Sequence, residues 1–445
     1  MKIEQFEDKY LSHFSYAILS ECEKKIILID PSRNPHPYYE YAKQQEATIV
    51  GVIETHSHAD FVSGHVEIAQ ATGARIFVSK NMNASFNFTS FDEGDEISLG
   101  QINLKALNTP GHSNDSISVL LEHRGKDVAV FTGDTLFIGD VGRPDLREKQ
   151  RNAMALREDL AVKMYHSLRE KLLLLEDEVI VYPGHGAGTL CGKSLSPAKS
   201  STIGNEKISN WALQKMDCKE FIKELTSNQP FIPAYFSRSV ELNINGAPSF
   251  SRSINEIPIR SGIPEKLQPE WWTVDVRDEK IFKNGHLDHS VNLMEGEKFE
   301  TWLGTIIHPE EQFYLAAQDE EQLKRMIARC ASIGYELLIR EAFVVNDLPL
   351  KNEVINLRQF KEDPQAFTIV DVRNEQERQE KKIFDHSIAI PLPELRTRIQ
   401  EIPDTKPIVV HCAAGYRSAA ASSIISAKPG LRTKVYDLGE AIKEF

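Results

Sequence analysis

The stretch WTVDVRDEKIFKNGHLDHSVNL (272–293) returns later in the chain as FTIVDVRNEQERQEKKIFDHSIAIPL (367–392). Asp275-Val-Arg277 recurs as Asp371-Val-Arg373, and Asp288-His-Ser290 as Asp385-His-Ser387, at an offset of 96 to 97 residues. That period is too long for a stacked solenoid unit and fits a small α/β domain used twice. The second half of the chain is thereby confined to two similar domains in tandem. At 445 residues the chain also exceeds one ordinary core, so the first half holds at least one further domain.

In that first half, short apolar or β-branched runs alternate with helical ones. KKIILID (24–30), TIVGVIET (48–55), ARIFVSK (74–80), INLKALNTP (102–110), ISVLLEH (117–123), DVAVFTGD (127–134) and DEVIVYPGH (177–185) read as strands bounded by turn residues. Residues 66–72 and 164–175 carry helical periodicity. Around 226–250 the texture turns rich in proline, serine and asparagine, which predicts a linker. The resulting division is a first domain over 1–235, a linker over 236–250, a second domain over 251–350 and a third over 351–445. Charge bounds the partners: the net charge is −13 and no block of lysine and arginine exists. Nucleic acid and anionic membranes are therefore not expected partners. No apolar run approaches a membrane span, and MKIEQFEDKY at the start lacks a hydrophobic signal core. Five cysteines (Cys22, Cys191, Cys218, Cys330, Cys412) form no C-x-x-C pair, so a reducing cytoplasm is the expected location.

Four fragments of the first half carry metal-binding residue types: His56-Ser-His58-Ala-Asp60, Thr109-Pro-Gly-His112, Thr132-Gly-Asp134 and Tyr182-Pro-Gly-His185. Each falls at a strand end, where loops display side chains on a rigid scaffold. Imidazole and carboxylate donors in such loops suit a borderline divalent metal. One such fragment is weak; four in order are not. The ordered set resembles the metallo-β-lactamase superfamily over about residues 1–235, which implies an αββα sandwich. In two-metal members of that family one site uses the His-x-His pair with the TPGH histidine. The other uses the aspartate, the histidine that follows it and the YPGH histidine, with the TGD aspartate bridging. Here Phe61 follows Asp60, and phenylalanine binds no metal, so the resemblance implies a one-metal enzyme.

FTGDTLFIGDVGRPDL (131–146) and the HADF-x-SGH form resemble the persulfide dioxygenases within that superfamily. This implies one Fe(II) in the domain, held by His56, His112 and Asp134, with His58, Asp60 and His185 orienting those ligands or meeting substrate. A facial set of two histidines and a carboxylate leaves three positions open, enough for a thiol-type ligand and O2 together. Hydrolysis needs only a metal-bound hydroxide, and the same triad can hold zinc. Cys191, in the glycine-rich loop after His185, reads equally well as an idle loop thiol or as a persulfide acceptor at the mouth of the metal pocket.

IVVHCAAGYRSAAASSII (408–425) reads as a strand, a tight loop and a helix. Cys412 begins the loop, and Gly415, Tyr416, Arg417 and Ser418 lead into the helix. Backbone N–H groups at a helix start favour a thiolate, and Arg417 adds positive charge. The C-x4-R spacing makes a smaller cradle than the C-x5-R of cysteine phosphatases, one matched to a single transferable sulfur atom. The segment resembles the rhodanese sulfurtransferases over about 352–445. That implies a persulfide carried on Cys412 and an anionic donor or acceptor held at Arg417. Subtracting 96 from Cys412 gives Ala316, followed by Asp319, Glu320 and Glu321, so the middle copy is an inactive rhodanese-like domain.

Together the resemblances imply oxidation of a low-molecular-weight thiol persulfide by O2 and water to thiol and sulfite. Cys412 would then join sulfane sulfur to sulfite as thiosulfate, and the chain would self-associate. The competing readings are a glyoxalase II type zinc thioester hydrolase attached to a sulfurtransferase, and a non-catalytic sulfur carrier.

Overall fold

A computed structural model describes residues 1–146, 153–193, 195–346 and 348–445. The chain forms two compact units, Met1–Ser253 with Ala331–Gly334, and Ile254–Cys330 with Tyr335–Phe445.

The first unit holds two six-stranded sheets. One runs in sequence order through β1 (Lys2–Asp8), β2 (His13–Ser20), β3 (Lys25–Ile29), β4 (Thr48–Ile53), β5 (Arg75–Val78) and β6 (Thr89–Ser90). The other contains β7 (Glu96–Leu99), β8 (Ile102–Asn108), β9 (Ile117–His123), β10 (Lys126–Gly133), β11 (Ile180–Pro183) and β12 (Ser201–Thr202). Side chains alternate across each strand. Phe14, Tyr16 and Ile18 of β2 meet Val119 and Leu121 of β9 in one core between the sheets. The intervening residues face outward: Ala17 and Leu19 pack with Tyr38 and Ile68 of the helices His36–Gln44 and His65–Thr72. Leu120 and Val130 pack with Met164, Leu168 and Phe221 of the helices Ala153–Glu170 and Cys218–Thr226. The order of layers is helix, sheet, sheet, helix, the αββα sandwich.

Two features differ from expectation. Strands β1 and β2 lie in a segment where none was expected. The segment 236–250 is not an open linker: the helix Phe236–Asn245 buries Phe236, Ser239 and Asn243 along one face, the i, i+3, i+7 stripe of a packed helix.

The second unit holds two separate sheets. The first contains β13 (Ile259–Arg260), β14 (Trp272–Asp275), β15 (Ser290–Asn292), β16 (Phe313–Ala317) and β17 (Ile339–Val344), in the order β13-β17-β16-β14-β15. The second contains β18 (Thr368–Asp371), β19 (Ile388–Ala389), β20 (Ile408–His411) and β21 (Val435–Asp437), in the order β19-β18-β20-β21. Every pairing in both is parallel, which suits strands buried on both faces. The repeated Asp-x-Arg motif does the same thing twice. Arg277 Nη2 meets Asp275 Oδ2 at 2.6 Å, and Arg373 Nη2 meets Asp371 Oδ2 at 2.7 Å, so each charge is buried with its partner.

Strand register corrects the counterpart of the loop cysteine by one residue. Asp275 pairs with Ala316 as Asp371 pairs with His411, so Ala317, not Ala316, stands where Cys412 stands. The numerical offset misses because the stretch from Asp275 to its partner Ala316 is one residue longer than that from Asp371 to His411. Neither alanine offers a thiol. No helix among the described residues is long and apolar enough to cross a membrane.

Candidate active sites

Strand β4 ends at Ile53, and the loop after it delivers His56. Asp30, just past β3, accepts from Thr55 twice: backbone N–H at 2.7 Å and hydroxyl at 2.8 Å. With its proton given to Asp30, the Thr55 hydroxyl accepts from His56 Nδ1 at 3.0 Å. That fixes the tautomer and leaves a lone pair on Nε2. His112 is fixed the same way, since its Nδ1 lies 2.9 Å from the Arg143 carbonyl oxygen, an acceptor only. The approach is tight: a Cβ on Gly142 would fall 2.0 Å from the Asp134 carbonyl oxygen and 2.9 Å from His112 Nδ1.

The two Nε2 atoms converge on Asp134 Oδ2, at 3.9 Å from His56 and 3.6 Å from His112. All three residues are buried. Burial would raise the Asp134 carboxyl, but His185, His112 and His56 hold it well below the usual carboxylate range. Two nitrogen lone pairs aimed at one carboxylate oxygen in a dry pocket require a cation. Donors about 2.0–2.2 Å from one metal ion would stand only slightly closer together than these do. The three residues fit a divalent metal.

His58 lies beside His56, ring centroids 4.2 Å apart, and commits its Nε2 to a separate pair of carboxylates. Its Nε2 lies 3.1 Å from Asp30 Oδ1 and 3.1 Å from Glu54 Oε2. Burial opposes a charge on His58, but Asp30 and Glu54 together raise its pKa well above the ordinary histidine value. Burial pushes the Glu54 carboxyl up to about 7. Phe61 is buried and packs tilted against its neighbours, its ring centroid 3.9 Å from that of His13 and 4.4 Å from that of His58. His185 donates from Nδ1 to Asp134 Oδ1 at 2.8 Å and brings Nε2 to 2.7 Å from Asp60 Oδ2. Cys191 is not at an open mouth. It is 1% exposed, and burial, then the Asp60 and Asp134 carboxylates, push its thiol well above the usual range.

Several residues that shape this centre were not singled out in the sequence. Thr55, Asp30 and the Arg143 carbonyl sit inside or beside quoted motifs and were visible as neighbours. His13 has no motif around it. Asn243, on the helix that replaces the expected linker, donates to the carbonyl oxygens of His58 at 2.9 Å and Phe61 at 2.8 Å, and accepts from Ser63 N–H at 2.8 Å. Tyr235 donates to the Asp60 carbonyl oxygen at 3.0 Å. Lys193 and Lys199, the two lysines nearest this loop in sequence, are engaged by Glu224 and Glu7.

The second centre lies where β20 ends. Cys412 is buried, and its Sγ accepts from Gly415 N–H at 3.1 Å and approaches Ser418 Oγ at 3.6 Å. Gly415 has φ +102°, in the left-handed region, and a Cβ there would meet the Gly439 carbonyl carbon at 3.3 Å. Ser418 Oγ donates to the Gly415 carbonyl oxygen at 2.9 Å, closing the turn. Tyr416 points its hydroxyl away from the sulfur, to the Met294 carbonyl oxygen at 2.9 Å. Arg417 is held by both oxygens of Glu377, each at 2.6 Å, the bidentate fork of an arginine–carboxylate pair. Its charge is thus already balanced beside the sulfur. Burial drives the pKa of the adjacent His411 down to about 4, with Arg373 adding to the shift and Asp371 opposing it.

Residues 11–185 match the family described as Metallo-beta-lactamase superfamily, and residues 353–445 match the Rhodanese-like domain. A cytoplasmic hydroxyacylglutathione hydrolase of Arabidopsis thaliana is 30% identical over 237 residues, covering 52% of this chain and 82% of that protein. A mitochondrial persulfide dioxygenase, ETHE1, of Mus musculus is 27% identical over 222 residues, covering 49% of this chain and 78% of that protein. The crystal structure of a metallo-beta-lactamase from Staphylococcus aureus is 30% identical with a TM-score of 0.68, covering 77% of this chain and 99% of that one.

Proposed function

Because this chain belongs to the metallo-beta-lactamase superfamily and ends in a rhodanese-like domain, we propose that it is a two-centre sulfur enzyme. Its first centre is a non-haem Fe(II) persulfide dioxygenase that converts RSSH, O2 and H2O into RSH, sulfite and two protons. Its second is a sulfurtransferase that forms thiosulfate. The observation that carries the first assignment is His58. Its Nε2 is taken by Asp30 and Glu54, and the donor atoms gathered at one point are those of two histidines and one carboxylate, His56, His112 and Asp134.

Iron in such a set supplies redox chemistry with positions left open for a thiolate and O2 together. The protein supplies the rest. Thr55 and the Arg143 carbonyl hold His56 and His112 in the binding tautomer. Asp134 stays ionised among its histidines. The closely packed rings of Phe61 and His13 keep water from the space beside the ion.

At the second centre, the outer sulfur of a persulfide RSSH transfers to Cys412, with RSH as the leaving thiol. Sulfite then attacks that outer sulfur. The S–S bond to Cys412 breaks, thiosulfate departs, and Cys412 keeps the bonding electron pair as thiolate, to which Gly415 N–H donates. Arg417, neutralised by Glu377, orients the loop, and the backbone N–H groups of the loop take up the anion.

The test is oxygen consumption by the iron-loaded chain on addition of a small-molecule persulfide, with Cys412→Ala alongside. Uptake with thiosulfate from the parent and sulfite from the variant is the expected result. Absence of uptake with several persulfides, despite bound iron, would refute the dioxygenase. The 30% identity to a hydroxyacylglutathione hydrolase supports a second reading, thioester hydrolysis by the zinc form, which thioester assays decide. Cytoplasmic action on a low-molecular-weight persulfide by a self-associating chain completes the proposal.

A further inference from the structure

The copy without a thiol reaches into the sulfur centre of the other. Its helix Glu279–Asn284 carries Lys283, whose Nζ lies 2.7 Å from Asp437 Oδ2 and 2.8 Å from Glu279 Oε2. Asp437 ends β21, beside β20 in the copy that holds Cys412, and its side chain is 1% exposed. Burial opposes a charge on Lys283, but Asp437 and Glu279 raise its pKa above the ordinary lysine value. The other oxygen of Asp437 accepts from Gly439 N–H at 2.9 Å. Gly439 is the backbone against which Gly415 packs: a Cβ on Gly415 would fall 3.3 Å from the Gly439 carbonyl carbon and 3.4 Å from the Glu440 nitrogen. Gly415 in turn donates its N–H to Cys412 Sγ at 3.1 Å.

A second grip lies at the start of the helix Tyr416–Ser426. Tyr416 donates its hydroxyl to the Met294 carbonyl oxygen at 2.9 Å, and a Cβ on Gly296 would fall 3.0 Å from Tyr416 Cε2. The Gly296 carbonyl oxygen accepts from Arg329 Nη2 at 2.7 Å, and Arg329 grips both Glu300 oxygens at 2.6 Å. Farther along the helix, Ser423 Oγ accepts from Asn292 N–H at 3.0 Å. The remaining charges around the loop are paired within its own copy: Arg417 with Glu377, and Arg373 with Asp371, beside which stand Arg378 and His411. A left-handed glycine costs entropy to fix. This one is fixed from two sides, and the outer member of each grip belongs to the copy without the thiol.

We propose that Lys283 is a positioning residue of the Cys412 centre: by holding Asp437, and through it Gly439 against Gly415, it keeps the Gly415 N–H aimed at the sulfur, with Met294 anchoring Tyr416 as a second support. The copy without a thiol is thereby the brace of the copy that has one. Without Lys283, Asp437 is a buried carboxylate with no cation. It turns toward water and releases Gly439 N–H, and the sulfur loses a donor that favours its thiolate. The proposal rests on Cys412 as the working thiol of the second centre, not on the donor or acceptor it serves, because the test reads the thiol itself.

The test follows alkylation of Cys412 by iodoacetamide in the full-length chain, read by peptide mass spectrometry as a rate against pH. In Lys283→Met the rate at about pH 7 should fall by about three- to tenfold while the rate at about pH 10 keeps the parent value, so the profile moves to higher pH. Lys283→Arg keeps the cation, and Lys283→Met with Asp437→Asn keeps an acceptor for Gly439 N–H and needs no cation. Both should return to the parent profile. Tyr416→Phe tests the second support without touching the buried charge and should move the profile the same way by a smaller step. A brace that only covered the sulfur would give the opposite result, since the buried Cys412 would be laid open in Lys283→Met and react faster at every pH. That outcome, an unchanged profile, or no rescue in the double variant would overturn the role of Lys283. An unmoved Tyr416→Phe would overturn that of Met294.

Discussion

Thr55 contributes no atom to the metal set, yet its hydroxyl decides which nitrogen of His56 is free to bind. Thr55→Val keeps the shape and removes both the bond to Asp30 and the acceptor for Nδ1. Metal affinity should fall by about 10–100-fold, the usual cost of losing an orienting partner, read by competition with a chelator. An unchanged affinity would mean that the tautomer is fixed elsewhere. His411 makes a different kind of prediction. Its pKa is about 4 when folded and roughly 6.5 when unfolded. The unfolded chain therefore takes up the proton first as pH falls. The stabilisation is fully present above pH about 6.5 and is lost towards pH about 4, by up to about 3 kcal/mol at 1.4 kcal/mol per pKa unit. Thermal melts between pH 7 and 4.5 should show it, and His411→Asn should flatten the slope. The triad residues themselves were within reach of the sequence because each sits in a short motif at a strand end. His13 was not, because it matters through the ring it packs against, and that ring is 48 positions away in the chain.

The helix Phe236–Asn245 ties the segment after β4 in place. Asn243 makes three hydrogen bonds to residues 58–63, across the stretch that holds His58, Asp60 and Phe61. Asn243→Leu, alike in branching though larger, leaves two carbonyls and one N–H unpaired. At roughly 1 kcal/mol for each bond, destabilisation of about 2–4 kcal/mol is expected in denaturant titrations, together with weaker metal binding. Destabilisation with no change in metal binding would separate the helix from the site. Composition concealed this element, since prolines and asparagines around it look like connecting chain, whereas the buried stripe of Phe236, Ser239 and Asn243 becomes meaningful only against its partner. Strand β1 was concealed for a related reason. KIEQFED alternates with charged residues and is nowhere fully buried, as an edge strand should be. The central strands were plain because their Ile, Val and Leu runs are buried in the sandwich.

At the scale of the molecule, the two units give each centre its own core. Metal binds only the folded first unit, so it should raise one of two thermal transitions and leave the other in place, by about 2.7 kcal/mol at a hundredfold excess over Kd. Calorimetry with and without chelator reads this directly, and a joint shift of both transitions would show that the units melt as one. The duplicated half of the chain was legible as a repeat, but the offset alone chose Ala316, and only strand pairing identified Ala317. The buried Asp-x-Arg pair persists with the same geometry in both copies, although one copy has alanine in place of the thiol. The pair therefore marks architecture and says nothing about turnover. A genome survey keyed to it would count scaffolds, working and silent alike. One keyed to the loop that follows β20 would count enzymes.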